Sequence, residues 1–290
     1  MVSSLCFLGL LPAHAGIVNL GTQGSVNLAS ASDYTFAAIA SEYGELGSFS
    51  VGVEAKIFGN VAANNSLIIG SDVSINGNAC SNYVAKSPGT VISGDVGLNG
   101  DCANVLTTLG TDIKNASAQA QALTGLAIDN IAQSVTLSAS QSQVFFTDEL
   151  FLETGEFLTI SGSQNDGMLV NVRGLASIGS GAGIRLTGGI LANNVIFNFL
   201  DNDTATNFII GAAELQGTFL SGSRSYQLGD GATLNGTRFL TTDSILGNVQ
   251  TVIGLTDTIP VPEPHTSLFL LPLAWLLFRT KKSNNTATVL

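Results

Sequence analysis

Few residues of this sequence could perform acid–base or nucleophilic chemistry. Its two histidines are His14 and His265, and both fall in segments that we interpret below as targeting signals. The segment between them has no histidine, which excludes a Ser-His-Asp triad, a Cys-His pair and a histidine metal site. Beyond Cys6, only Cys80 and Cys102 remain, too few for a structural zinc site. We therefore expect no metal and no cofactor.

The sequence contains two places where carboxylates are close to one another. They are Asp148-Glu149 and Asp201-Asn202-Asp203. A polysaccharide-cleaving β-helix enzyme needs clustered carboxylates for calcium, with a Lys or Arg base on the same face. Solvated turns explain both groups more simply. We therefore expect a non-enzymatic protein, and cleavage of polysaccharide is the third of three functional hypotheses.

The composition is typical of an exported β-rich protein with a Ser/Thr/Asn/Gly surface. The 290 residues are 45% hydrophobic and 11% charged, with 33 glycines and a net charge of -11. Without Arg279, Lys281 and Lys282, seven basic residues against 21 acidic ones leave -14 for residues 16–264. Because nucleic-acid binding depends on neutralised phosphates, we expect no nucleic-acid partner.

A repeat near the C-terminal end predicts the architecture. The stretch Ala213–Leu220 returns 19 residues later, so that Leu215 maps onto Leu234 and Gly217 onto Gly236, with one residue inserted after the shared Gly-Thr. A short strand with one apolar face cannot bury that face alone, and a period of about 20 residues lets each coil cover the next. The repeat thus indicates a β-solenoid.

A looser copy of the repeat is Leu186–Leu191, where apolar, polar, glycine and apolar positions follow in the same order. Three copies indicate stacked coils, with a glycine at each corner. The alternative is an antiparallel sandwich whose hairpins happen to look alike.

A second repeat bears on the cysteines. Asp72–Gly77 matches Asp95–Gly100 at an offset of 23, and neighbouring coils lie about 4.8 Å apart. Stacking would bring Cys80 and Cys102 within the range that a disulfide requires. In an exported domain we predict this bond, which would stabilise the fold by about 3 kcal/mol. The alternative is two free thiols.

One segment has helical rather than strand periodicity. We predict a helix over Asp112–Leu126, whose start Thr111 or Asp112 can cap and which Gly125 can end or interrupt. Its apolar stripe consists of Ile113, Ala116, Ala120, Leu123 and Ala127. The small apolar face favours a helix that covers a sheet over one that binds a partner.

Several motifs together resemble a known family. They are Leu169–Gly174, Gly183–Leu186, Asn194–Phe199, Ala205-Thr206 and Gly217–Leu220. The succession resembles the choice-of-anchor A domain, an ice-binding-like adhesive domain, over most of residues 16–245. The resemblance implies a right-handed β-helix with a helix along its side, an extracellular role and no catalytic residues. The chain departs from the family at Leu220-Ser221-Gly222, where Leu-Ala-Pro is common.

The N-terminal residues 1–15 are predicted to be a signal peptide. Leu5–Leu11 is a short apolar run, and Ala13-His14-Ala15 has the small-x-small pattern that precedes cleavage. Residues Met1–Ser4 contain no Lys or Arg, so we predict that the true start lies upstream. The alternative is a buried N-terminal strand.

The C-terminal segment resembles the PEP-CTERM sorting signal of Gram-negative bacteria. Its motif is Val261, Pro262, Glu263 and Pro264, followed by the apolar run Leu268–Phe278 and the basic cluster Arg279, Lys281 and Lys282. The resemblance implies recognition and processing by an exosortase, in cells that make extracellular polysaccharide.

The apolar run suits a transient anchor better than a permanent one. Eleven residues rise about 16 Å as a helix, against a hydrocarbon core near 30 Å, and Pro272 interrupts them. The basic residues fit retention on the cytoplasmic side until processing. The alternative is an ordinary single-span anchor.

These segments predict a signal peptide at 1–15, an adhesive-like β-solenoid at 16–258, a sorting segment at 259–282 and a cytoplasmic tail at 283–290. The leading hypothesis is a surface or matrix adhesin that binds extracellular polysaccharide, another surface or its own kind. The second is ice binding, for which Thr218 and Thr237 are the candidate stacked threonines.

Overall fold

Short strands that pair in parallel make up nearly all of the fold. The computed structural model describes residues 16–40, 47–98, 100–200 and 208–247, together with the backbone of 251–253. The predicted signal peptide and the predicted sorting segment therefore lie outside the described residues, as does Asp201-Asn202-Asp203. Among the residues that the structure describes, no helix has the length and apolar character needed to cross a bilayer.

The first ten strands precede the helix. They are β1 (Ile17–Asn19), β2 (Ser25–Asn27), β3 (Tyr34–Ala38), β4 (Ser48–Val51), β5 (Lys56–Phe58), β6 (Asn60–Ile69), β7 (Ser74–Asn76), β8 (Ala79–Lys86), β9 (Val91–Ile92) and β10 (Val96–Leu98). The helix, α1, is Gly100–Ala122.

In the described part of the chain, fifteen strands follow the helix. They are β11 (Leu126–Ala127), β12 (Val135–Ser138), β13 (Gln143–Thr147), β14 (Leu150–Leu152), β15 (Phe157–Ser161), β16 (Met168–Val172), β17 (Ala176–Ile178), β18 (Gly183–Thr187), β19 (Val195–Phe199), β20 (Phe208–Ile210), β21 (Glu214–Ser221), β22 (Tyr226–Leu228), β23 (Thr233–Thr241), β24 (Ile245–Gly247) and β25 (Thr251–Ile253).

The strands stack in three columns, which form the three faces of a β-solenoid. The helix-covered face runs β11, β13, β16, β19, the second halves of β21 and β23, β3, the first halves of β6 and β8, and β10. The bare face runs β14, β17, β20, β22, β24, β4 and the second halves of β6 and β8. The charged face runs β12, β15, β18, the first halves of β21 and β23, β25, β5, β7 and β9. The predicted β-helix is confirmed, and the antiparallel sandwich is wrong.

Two separate chain segments build this single stack. Strands β11 to β25 form one block of coils and β3 to β10 form the other, and they join where β23, β24 and β25 pair with β3, β4 and β5. Helix α1 carries the chain back from the end at β10 to the opposite end at β11. The order of the coils along the axis therefore differs from their order in the sequence.

A column of stacked phenylalanine rings fills the interior and crosses the junction between the blocks. Ring centroids are 5.3 Å apart for Phe197 and Phe219, 4.9 Å for Phe219 and Phe239, and 5.7 Å for Phe239 and Phe36. Aromatic pairs at such distances add about 0.5–1.5 kcal/mol beyond their buried area. The column holds the two blocks together at β23 and β3.

Helix α1 begins earlier than predicted, at Gly100 rather than Asp112, and ends at Ala122. Ile113, Ala116 and Ala120 form the predicted part of the buried stripe, and Leu106 and Leu109 extend it toward the N-terminus. Threonines and glycine among the first residues hide this periodicity in the sequence. The prediction of a helix packed along the side of the solenoid is confirmed.

The register of the first repeat is partly as predicted. Leu215 pairs with Leu234, but Gly217 pairs with Thr237 rather than with Gly236. The reason is that the extra residue of the second copy lies before Thr237 and not after it. The looser copy is wrong in register, since Gly183 is the residue that pairs with Glu214.

The second repeat does not consist of neighbouring coils. Ser74 pairs with Val91 on the charged face, whereas Val96 pairs with Ala79 on the helix-covered face. The matching Asp72–Gly77 and Asp95–Gly100 segments thus lie on different faces, and that prediction is wrong.

Candidate functional site

The helix-covered face is closed to any large ligand. Its outward side chains are buried beneath α1 and the antiparallel pair β1–β2, and they form a second apolar core with the helix. The buried residues contributed by the strands include Val144, Leu169, Ile196, Leu220 and Leu240. This face contributes stability rather than a binding surface.

A buried amide ladder fastens α1 to this face. The Asn198 side chain donates to Asn171 Oδ1 (2.8 Å) and to the Ser117 carbonyl (3.2 Å), and it accepts from Ser117 Oγ (2.7 Å). Asn171 Nδ2 in turn donates to the Ala120 carbonyl (3.0 Å). All three side chains are buried, so the ladder satisfies polar groups that would otherwise oppose burial.

The threonines proposed for ice contact lie on the same face. Thr218 and Thr237 are both fully buried, and they do not stack on one another, because Thr218 pairs with Arg238 and Thr237 with Gly217. Thr237 Oγ1 donates to the Leu215 carbonyl (2.7 Å). The assignment of these two threonines to an ice-contacting surface is therefore wrong.

The charged face is uncovered but strongly hydrated. The Arg185 guanidinium lies 3.4 Å from the centroid of the Phe157 ring and 3.1 Å from the Glu214 carboxylate. Lys56 is exposed on the same face. These ionised side chains make the surface uneven in charge.

The bare face carries one continuous column of outward side chains. Its strands pair in register from β14 to the second half of β8 with no bulge within the face. In order along the axis, the central column is Phe151, Ser177, Ile209, Gln227, Leu246, Ser50, Ile68 and Ala85. Seven strand spacings give it a length of about 34 Å.

The chemistry of the bare face is apolar with interspersed hydroxyl groups. Ile209 is 49% exposed and Leu246 47% exposed, and Ser48 and Ser66 flank the column. Among the strand residues of this face, Lys86 in the last coil is the only charged one. The result is a rigid, ordered surface that water wets without strong ionic hydration.

Such a surface can hold water in an ordered layer. Water next to apolar groups has restricted orientational freedom, and regularly spaced hydroxyl and amide groups give that layer fixed hydrogen-bonding points. The rigidity comes from the parallel ladders on either side of each strand. The bare face is therefore the candidate functional site.

Of the carboxylates considered for catalysis, Asp148 and Glu149 lie in the described part of the chain, and both are engaged by neighbouring side chains. Asp148 is exposed and lies 3.5 Å from Arg173, and Glu149 accepts from Asn130 Nδ2 (2.9 Å). In the described part of the chain, no group of three or more His, Cys, Asp or Glu residues could hold a metal ion.

A groove of about 360 Å³ lies between the first half of α1 and the nearby strands. Among its lining residues are Asn64, Asn82 and Lys114. The Asn64 amide is already engaged with the backbone of Ala40, donating to its carbonyl (2.8 Å) and accepting from its N–H (2.9 Å). The groove therefore offers little preorganised chemistry.

The structure pairs Cys80 with Cys102, with Cα atoms 5.7 Å apart. Cys102 lies in the first turn of α1, so the pair links the helix to β8 rather than one coil to the next. The coil partner of Cys80 is Gly97. The prediction that Cys80 and Cys102 lie on stacked coils is therefore wrong, and the bond in solution stays a prediction.

Sequence reasoning missed the bare face, although a signal for it exists. Where the side chains of the first and last residues of a three-residue strand point inward, the side chain of the middle residue points outward. Runs such as Phe208-Ile209-Ile210 and Leu67-Ile68-Ile69 therefore put an apolar side chain on the surface.

No protein-family model matches the sequence, and no curated protein matches it. Solved structures do. An ice-binding protein from the Antarctic ascomycete Antarctomyces psychrotrophicus is 17% identical, with 80% of this chain and 99% of that chain covered and a TM-score of 0.56.

Two further structures are similar. An ice-binding protein from an Antarctic biological consortium is 17% identical, with 81% and 90% covered and a TM-score of 0.51. One from a Flavobacteriaceae bacterium is 14% identical, with 82% and 50% covered and a TM-score of 0.52. All three are ice-binding proteins. In fold, this chain is similar to ice-binding β-helix proteins.

Proposed function

We propose that the protein is a non-enzymatic ice-binding protein and that the bare face is its ice-contacting surface. The observation that carries the proposal is the in-register column from Phe151 to Ala85, which no other described element covers and which contains no charged residue. The helix-covered face is buried, and the charged face carries the Arg185–Glu214 pair. The fold likeness to ice-binding proteins supports the same choice.

Ice binding requires a protein surface that is complementary to a solid. An ice surface presents a fixed array of water molecules, so a binding partner must be rigid and extended and must not bind competing water strongly. Charged groups are strongly hydrated, and removing that hydration costs free energy. A column of aliphatic side chains with serine hydroxyls avoids this cost and leaves a long contact.

The test is ice-crystal shaping and recrystallisation by the purified chain and two variants. Ile209→Glu puts a charge in the middle of the bare face and should abolish both effects at concentrations where the parent is active. Leu191→Glu is the matched control, because Leu191 is 45% exposed but lies outside the strands of the bare face. It should retain parental activity.

A folded parent without any effect on ice would overturn the proposal. The surface or matrix adhesin would then lead, with extracellular polysaccharide as the first ligand to test. Loss of activity in Leu191→Glu as strong as in Ile209→Glu would show that the bare face is not the contact.

We also propose that the protein is exported and sorted through its C-terminal segment. The support is the order of Val261–Pro264, the apolar run Leu268–Phe278 and the basic cluster Arg279, Lys281 and Lys282. An exosortase of a Gram-negative cell would act at the motif. Mass spectrometry of the mature protein should find a C-terminus near Glu263, and an intact C-terminus at Leu290 would contradict sorting.

A further inference from the structure

One end of the solenoid leaves its core open. At this end the last coil consists of the second half of β8, β9 and β10, each of which pairs on one side only among the described residues. Val96 lies in register with the buried Ala79, and Leu98 with the buried Ser81. Both therefore point toward the axis, yet Leu98 is 44% exposed.

The opposite end is open in the same way. Strand β11 pairs only with β13, and β12 only with β15, in the part of the chain that the structure describes. Leu126 lies in register with the core residue Phe145 and is 57% exposed. Val135, in register with the buried Leu158, is also exposed. Both ends thus present apolar side chains together with unpaired strand edges.

The two ends are complementary in geometry. Every strand of the stack is parallel to its neighbours, and both blocks of coils advance along the axis in the same direction. A second copy placed end-on could therefore continue the sheets, with its β11 beside β10 and its β12 beside β9. Parallel pairing and the apolar interior would both continue across the contact.

Helix α1 is too short to extend past both ends of the stack and keep two copies apart. Its 23 residues span about 34 Å, whereas the ten strands of the helix-covered face span about 43 Å. The helix is shorter than the stack along which it lies.

We propose that copies of this chain associate head to tail, the β8–β10 end of one on the β11–β12 end of the next. Solenoids need polar caps to stay apart, and unpaired apolar edge strands are templates for pairing. A contact between two different ends does not close, so it produces open chains of molecules. The net charge of -11 opposes the contact, so association strengthens with salt.

The test is sedimentation velocity of the purified full chain over a range of concentrations at low and high NaCl. The parent should sediment as larger species as concentration and salt rise. Leu98→Glu blocks one end and Leu126→Glu the other, so each variant alone should stay monomeric. An equimolar mixture should form dimers and nothing larger, because each variant keeps one intact end.

Leu191→Glu, which lies between the ends, is the control and should assemble as the parent does. Thermal unfolding verifies that each variant is folded, and Leu98→Gln and Leu126→Gln replace any Glu variant that is not. A parent that is monomeric throughout would overturn the proposal. So would assembly that survives in both end variants, which would assign it to segments such as the apolar tail. Loss of assembly in Leu98→Glu alone would indicate a contact between two like ends instead.

Discussion

Replacing Asn198 by alanine should loosen the helix from the solenoid. The Asn198 amide makes three buried hydrogen bonds, two with Ser117 of α1 and one with Asn171. Alanine removes all three and leaves Asn171 Oδ1 and the Ser117 hydroxyl without this partner. Because α1 packs along much of this face, the effect reaches beyond the substituted strand.

The expected loss follows from the bonds involved. Three hydrogen bonds at about 1 kcal/mol each amount to about 3 kcal/mol, and two buried groups deprived of a partner raise the total to about 3–5 kcal/mol. For a domain of this size, that lowers Tm by about 6–20 °C. Asn171→Ala, which removes one bond to Ala120 and one to Asn198, should cost about 2–3 kcal/mol.

The assay is urea and thermal unfolding of the full chain followed by circular dichroism. The matched control is Asn115→Ala, an exposed asparagine on the same helix, which should stay within about 0.5 kcal/mol of the parent. The double variant of Asn171 and Asn198 should lose less than the sum of the two single losses, since both share one bond. Stability of Asn198→Ala within about 0.5 kcal/mol of the parent would refute the ladder as an anchor.

Three further predictions concern Tyr226 and the thiols. Among the described residues, the buried Tyr226 hydroxyl has no hydrogen-bond partner, so Tyr226→Phe should raise the free energy of unfolding by about 1 kcal/mol; an unchanged or lower value in urea unfolding would contradict this. Burial also raises the pKa of Tyr226 well above its usual value of about 10, so the unfolded chain deprotonates first. Parental stability should therefore fall as pH rises above about 10, and it should fall less in Tyr226→Phe. Replacing both Cys80 and Cys102 by serine should cost about 3 kcal/mol and Cys6→Ser nothing, whereas recovery of both as free thiols in non-reducing peptide mapping would rule out the bond.

The predictions that succeeded rest on local periodicity. The pairing of Leu215 with Leu234 could be read from a repeat because adjacent coils of a solenoid bury like residues at like positions. The stripe of Ile113, Ala116 and Ala120 identified α1 for the same kind of reason. The boundary at Gly100 was missed because the first turns carry few large apolar residues.

The predictions that failed depended on the face of the solenoid to which each strand belongs. The repeat showed that Thr218 and Thr237 occupy related strands, but not that these strands belong to the helix-covered face and that both threonines are buried. The Asp72–Gly77 match paired segments on different faces, since both combine a short strand with an Asn-Gly pair in the sequence. Similar turns do not define which strands are neighbours.

The amino-acid sequence by itself determined the kind of structure: short strands with one apolar face, a covering helix, no histidine in the domain and an acidic surface. Those properties depend on the residues within one coil or one helical turn. Only the tertiary structure decided that β3 stacks on β23, that the column through Ile209 and Leu246 is left bare, and that both ends stay open. The reason is that exposure depends on what covers a residue, and here the covering elements, α1 and the second block of coils, are brought in from distant parts of the chain.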